Sequence, residues 1–137
     1  MRKSTVFVDT GAWYALADRS DQYHDRAIGI YPELLRGYQR LVTTNLVVSE
    51  AYILVRRGLG HREAMTFLES IEASPRVIKI YSDEGLEATA KDILRQYEDQ
   101  DFSYTDGVSF AAMMQKEIED AFSFDQHFRT AGFRLIP

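Results

Sequence analysis

Two rhythms of apolar and polar positions alternate along this chain. Thr5 to Val8 is a short β-branched and aromatic run closed by Asp9-Thr10-Gly11, the pattern of a buried strand ending in a turn. A helical rhythm follows, first briefly over 12–17, then from an N-cap at Ser20-Asp21 to about Leu35, with Tyr23, Ala27, Ile30 and Leu34 on one side. Pro32 is expected to bend or split that helix. Arg40 to Thr43 is a second, weaker strand. Thr44 or Asn45 then caps a helix through Arg57, closed by Gly58 and Gly60. His61 to Ala73 repeats the helical period, and Val77 to Tyr81 alternates as a third strand. A helix capped by Ser82 or Asp83 runs to about Tyr97, and one capped by Ser103 or Thr105 runs to about Ile118. Ala121 to Phe124 is a fourth strand, 126–131 a last helical turn, and Arg134 to Ile136 a fifth, edge strand.

Strand and helix alternate throughout, which predicts an α/β fold: three layers, α/β/α, around a central, mainly parallel sheet of four to five strands. The 137 residues form one domain, 1–137, with no linker, low-complexity segment or internal repeat.

Composition changes this picture in three places. There is no cysteine, so any metal is held by oxygen or imidazole. The chain has no apolar stretch long enough for a signal peptide or membrane helix, so a cytoplasmic protein without a membrane partner is expected. The net charge of −5 argues against sequence-blind nucleic-acid binding over a broad basic surface. It is compatible with a nuclease, because acids gathered around a divalent ion lower the net charge without repelling phosphate. The compact basic patch is Arg56, Arg57, His61 and Arg62, a solvated helix end or a phosphate contact.

Four acids carry the candidate chemistry. Asp9 and Asp125 stand just past strand ends, where open parallel sheets bind ligands. Asp106 opens a helix, and Glu50 falls among Leu46, Val47, Ile53 and Leu54 at helical spacing, which places it on an apolar face. Each has a plainer reading: Asp9 or Thr10 as a helix cap, Asp106 as a partner of the helix dipole, Glu50 as an acid at the margin of its face. His24 reads as a surface or packing histidine, because no second His or Cys stands at ligand spacing. A doubly wound sheet can bring all four acids to one rim, where they would repel one another without cations between them. Oxygen-only ligands select Mg²⁺ or Mn²⁺, and such sites activate water for attack on phosphoryl groups.

Four motifs then resemble a known family. They are Val8 to Trp13 (Val-Asp-Thr-Gly-Ala-Trp), Thr44 to Ala51 (Thr-Asn-Leu-Val-Val-Ser-Glu-Ala), Phe102 to Phe110 and Ala121 to Phe128, in that order over nearly the whole chain. The sequence is similar to PIN-domain ribonucleases, and among small members to the VapC toxins of toxin–antitoxin pairs. The resemblance implies a Mg²⁺- or Mn²⁺-dependent endoribonuclease. Its metal ligands and catalytic groups would be Asp9, Glu50, Asp106 and Asp125, with Asp9 and Asp106 as principal ligands and Glu50 as ligand or orienter of the attacking water. Thr10, Ser103 and Thr105 would orient those groups, and Asp101 is left outside the site. An antitoxin partner and a homodimer are also implied. Trp13 and Tyr52 could serve either an interface or the core. Two alternatives stand beside this reading. One is a non-catalytic PIN-type module binding RNA or protein; the other is a dimeric aspartic protease using Asp9-Thr10-Gly11, which requires an all-β chain.

Overall fold

The computed structural model describes residues 3–137. The elements run β1 (Lys3–Val8), α1 (Thr10–Ala17), α2 (His24–Gly37), β2 (Tyr38–Thr44), α3 (Asn45–Leu59), α4 (His61–Ala73), β3 (Val77–Ile80), α5 (Glu84–Gln96), α6 (Tyr104–Gln115), β4 (Asp120–Phe122), α7 (His127–Thr130) and β5 (Arg134–Ile136). The five strands make one sheet in the order β3-β2-β1-β4-β5, and every pairing is parallel. This meets the expected parallel α/β architecture and excludes the all-β protease. From β1 the chain steps outward through β2 to β3, then returns to build β4 and β5 on the other side of β1. The strand order therefore reverses between β1 and β4, and a crevice opens beyond their carboxyl ends.

Several boundaries differ from those predicted, each for a local reason. The weak second strand is the longest of the five: β2 lies between β1 and β3, and Leu41, Val42, Thr43 and Thr44 are all buried. Thr43 fits that interior because its hydroxyl donates to the Val8 carbonyl at 3.0 Å and accepts from Trp13 Nε1 at 3.2 Å. Trp13, only 5% exposed, is thus a core residue.

The second helix starts at His24, because the acids before it are spent on turns. Asp18 Oδ1 accepts from the Ser20 N–H and hydroxyl, and Asp21 Oδ2 from the Tyr23 N–H. That helix runs unbroken through Pro32, which is exposed, so the backbone bond proline cannot make lies on the solvent side. His24 is a packing residue, its Nδ1 2.6 Å from the Ala15 carbonyl.

Gly58 lies inside α3 and not at its cap, which is Gly60 at φ 98°. A Cβ at Gly58 would stand 2.8 Å from Tyr14 Oη, so glycine permits the close approach of α1 and α3. The sixth helix stops at Gln115, short of Ile118. Glu117 adopts φ 55°, and the N–H groups of Glu117 and Ile118 return to the carbonyls of Met114 and Met113, a Schellman closure that buries Ile118. Phe7, Phe110, Phe122 and Phe128 fill the centre of the core, fully buried. Among the described residues no helix is long and apolar enough to cross a membrane.

Candidate metal centre

At the crevice between the ends of β1 and β4 lies a cleft of about 480 Å³. Asp9, Asp21, Glu50, Asp101, Asp106 and Asp125 line it together with Thr10, Ser103 and His127, and no Lys or Arg among the described residues lines it. All four acids singled out from the sequence therefore face one cavity.

Asp9 follows the last residue of β1, where its N–H donates to the Phe122 carbonyl of β4 at 3.1 Å. It occupies the N-cap position of α1, yet its carboxylate makes no capping hydrogen bond. Only 6% exposed, it accepts from the Ser123 hydroxyl at 3.1 Å. Burial pushes its carboxyl up to about 7. The charges of Asp106 and Asp125 add to that rise, while the Thr10 backbone and the Ser123 hydroxyl oppose it.

Asp106 is held twice through one oxygen. The Ser103 hydroxyl accepts from the Asp106 N–H, and Asp106 Oδ2 accepts from the Ser103 N–H, each at 3.0 Å, a capping box that starts α6. The same Oδ2 stands 3.0 Å from His127 Nδ1. Capping engages Oδ2 alone, and Oδ1 makes no hydrogen bond among the described residues. Asp125 lies beyond β4, with its N–H on Ser123 Oγ at 3.0 Å and its Oδ1 accepting from the His127 N–H at 2.9 Å. Its Oδ2 is 3.3 Å from His127 Nδ1.

Glu50 departs from its expectation. The buried face of α3 is Val47, Val48, Ala51 and Val55, and Glu50 sits half-buried at its margin, facing the cleft, with no ion pair or hydrogen bond among the described residues. Thr105 does not line the cleft. The patch of Arg56, Arg57 and Arg62 lies outside it on exposed surface, where Arg56 Nη1 donates to His61 Nδ1 at 2.6 Å. Asp101, left aside from the sequence, does line it.

The sequence reading passed over His127 and Ser123. One ligand atom each from Asp106, Asp125 and His127 falls within 4.8 Å of the others, a grouping suited to a metal ion. The oxygen-only donor set therefore widens to include an imidazole. Its signal was present as Asp125-Gln126-His127, where a single turn of helix folds the ring back over the acids. Ser123 ties Asp9 to the Asp125 loop, a link that no local pattern announces.

A divalent cation fits this cleft. Six carboxylates converge with no basic side chain beside them other than His127. The Thr10 hydroxyl, buried at the same rim, has no hydrogen-bond partner among the described residues.

The family model described as PIN domain matches residues 6–134. The 23S rRNA-specific endonuclease VapC20 of Mycobacterium tuberculosis is 33% identical over 131 residues, which cover 93% of this chain and 95% of that protein. The crystal structure of Mycobacterium tuberculosis VapC20, described as a sarcin–ricin loop cleaving toxin, superposes with a TM-score of 0.86 at 32% identity, covering 93% and 95% of the two chains. FitAcB from Neisseria gonorrhoeae (TM-score 0.67, 15% identity, 96% of each chain) and FitAB bound to an IR36 DNA fragment (0.68, 17%, 96% and 93%) share the fold.

Proposed function

The chain belongs to the PIN domain family, and from that premise we infer that it is a divalent-metal-dependent endoribonuclease, the toxin of a toxin–antitoxin pair. One observation carries this reading: four acids from separate elements, Asp9, Glu50, Asp106 and Asp125, line one cleft at the sheet's switch point, with no Lys or Arg among the described residues lining it. The similarity to VapC20 makes ribosomal RNA, above all an exposed loop, the first substrate to test.

Asp9, Asp106 and Asp125 would hold the cation, with His127 beside them; Mg²⁺ or Mn²⁺ suits carboxylate oxygens, and the imidazole favours Mn²⁺ of the two. When bound, the ion supplies an activated water and stabilises charge on the phosphoryl oxygens. The chain's own groups do the rest. The Ser103 N–H and His127 fix Asp106 through Oδ2, and Oδ1 would be available to the cation. Ser123 holds Asp9 and the Asp125 loop in one frame. Glu50, free of partners at the cleft wall, orients the attacking water and accepts its proton. Thr10 offers its unpaired hydroxyl to metal-bound water or to a phosphate oxygen.

Free cleavage of RNA would poison the host, so an antitoxin is the natural partner, with an Arg set among the carboxylates as inhibitor. A homodimer is proposed on the family resemblance. The deciding experiment is cleavage of ribosomal RNA by the purified protein with Mg²⁺, Mn²⁺ or EDTA, beside Asp106→Asn. Metal-dependent cleavage that the substitution abolishes is expected. Equal cleavage by the variant, or cleavage unaffected by EDTA, would refute the assignment.

A further inference from the structure

We propose that Tyr23 and Phe124 form a stacking platform for an unpaired RNA base beside the scissile phosphate, an assignment that rests on the ribonuclease reading of the neighbouring acids. Tyr23 comes from the turn before α2 and Phe124 from the turn after β4. Their ring centroids are 4.4 Å apart and their planes 4° from parallel. Both rings are half-buried and both line the acidic cleft, and Phe124 directly precedes Asp125 in the chain. The exposed Arg26 guanidinium lies 5.5 Å from the Phe124 centroid.

Offset-stacked and edge-to-face contacts are both ordinary for aromatic pairs, but among the described residues every other pair is inclined by 30° or more, with Phe110 and Phe128 at 86°, and the one parallel pair stands at the cleft wall. A flat pair at a cleft wall is the form on which a base continues a stack.

Charge points the same way. Proteins usually gain RNA affinity from Lys and Arg on phosphates, but this cleft has neither, and the basic patch of α3 lies outside it. Binding close to the acids therefore needs an uncharged contribution, and base–aromatic stacking supplies one for single-stranded or loop RNA. Arg26 adds a cation at the platform for a flanking phosphate.

The test uses the full chain. Protein carrying Asp106→Asn, to block turnover, is titrated with a short single-stranded RNA and with the same RNA made abasic at one position after another. Tyr23→Leu and Phe124→Leu are each expected to weaken binding by about 5- to 160-fold, the range set by one stacked base. One abasic position should reproduce that loss, and the loss should vanish in the Leu variants. In otherwise wild-type protein the Leu variants should raise KM by a similar factor, change kcat far less and leave Mn²⁺ affinity by calorimetry unaltered. Tyr23→Phe and Phe124→Tyr, which keep the rings, should bind as wild type; if they lose as much as the Leu variants, the platform is refuted. Metal-dependent cleavage at wild-type KM in folded Leu variants refutes the platform and leaves the ribonuclease reading standing. Ring-dependent binding by a protein that cleaves no RNA keeps the platform and overturns the ribonuclease reading.

Discussion

Two buried aspartates sit at opposite ends of the same sheet and meet opposite electrostatic fates. Asp120, 2% exposed, opens β4 where the starts of four strands converge. Lys3 of β1 donates to it at 3.0 Å, Arg134 of β5 through Nε at 2.7 Å, and Tyr38 of β2 through its hydroxyl. Burial alone would raise its pKa, but those donors outweigh burial and hold it at about 2. Asp9, 6% exposed, follows β1 at the other edge, where no cationic side chain among the described residues meets it and burial lifts it to about 7. The fold therefore compensates one buried acid with donors of its own and leaves the other at the rim where the proposed cation would bring the charge.

Exchanging an isosteric amide for each acid separates the two roles most sharply. Asp9→Asn is expected to lower kcat for RNA cleavage by about 10³-fold, on the scale of removing one preorganised charge-stabilising group. Asp120→Asn should leave kcat per folded molecule unchanged. In the metal-free protein the same Asp9→Asn should add stability above pH 7, measured by urea unfolding. A loss of stability there would mean that the carboxylate already has a counter-charge, and the contrast between the two ends would fail.

Truncation at the paired end comes next in size. Asp120→Ala removes the common acceptor of Lys3, Tyr38 and Arg134. Because Lys3 and Arg134 are themselves half-exposed and can turn to water, about 3 kcal/mol of unfolding free energy is expected to go, the low end for breaking a buried ion pair. Thermal or urea unfolding reads this directly, and a loss below about 1 kcal/mol would mean that the cluster ornaments the sheet edge without holding it.

The two acids also give the metal-free protein a stability optimum in pH, one limb from each. The folded pKa of Asp120 lies below the unfolded value near 3.9, so its contribution is present above that value and lost as pH falls through about 2. It amounts to about 2 to 3 kcal/mol by linkage. The folded pKa of Asp9 is raised, so its stabilisation is full below about pH 4 and is lost as pH rises through about 7. Unfolding measured from pH 2 to 9 should show both limbs, with Asp120→Asn removing the acid one and Asp9→Asn the neutral one. A divalent cation at a hundredfold excess over its Kd should restore about 2.7 kcal/mol above pH 7. It should do so in Asp120→Asn but far less in Asp9→Asn.

How much of this contrast could be seen in the sequence follows from how local each cause is. Strand–helix alternation and the acids at strand ends are local patterns, so the parallel fold and the places of Asp9, Asp106 and Asp125 beside the crevice were legible. Glu50 was placed on the right helix but too deep, because its apolar neighbours Leu46, Ile53 and Leu54 are only partly buried or exposed. Asp120 went unmarked: its partners lie 14, 82 and 117 positions away, and only the pairing of strand starts brings them together. His127 was passed over for a related reason. Its meeting with Asp106 spans 21 positions and depends on a turn of helix too short for periodicity to orient.

The smallest effect dissects the compensated end. Lys3 reaches Asp120 from a side chain 56% exposed, while Arg134 approaches through two nitrogens, Nε at 2.7 Å and Nη2 at 2.6 Å. Both guanidinium nitrogens converge on the one oxygen Oδ1, which holds the planar group in place, whereas a solvated ammonium gives up conformational freedom to hold a single point. Lys3→Met, which keeps the aliphatic stem and removes the charge, is therefore expected to cost about 0.5 kcal/mol or less, and less still in high salt. Arg134→Met should cost two to three times as much and flatten the acid limb of the stability profile, because the folded pKa of Asp120 then rises toward its unfolded value. If the two substitutions cost the same, net charge near Asp120 and not the fixed geometry of its donors keeps it ionised. Any cation delivered to Asp9 would then quiet the opposite rim as well, whatever its coordination.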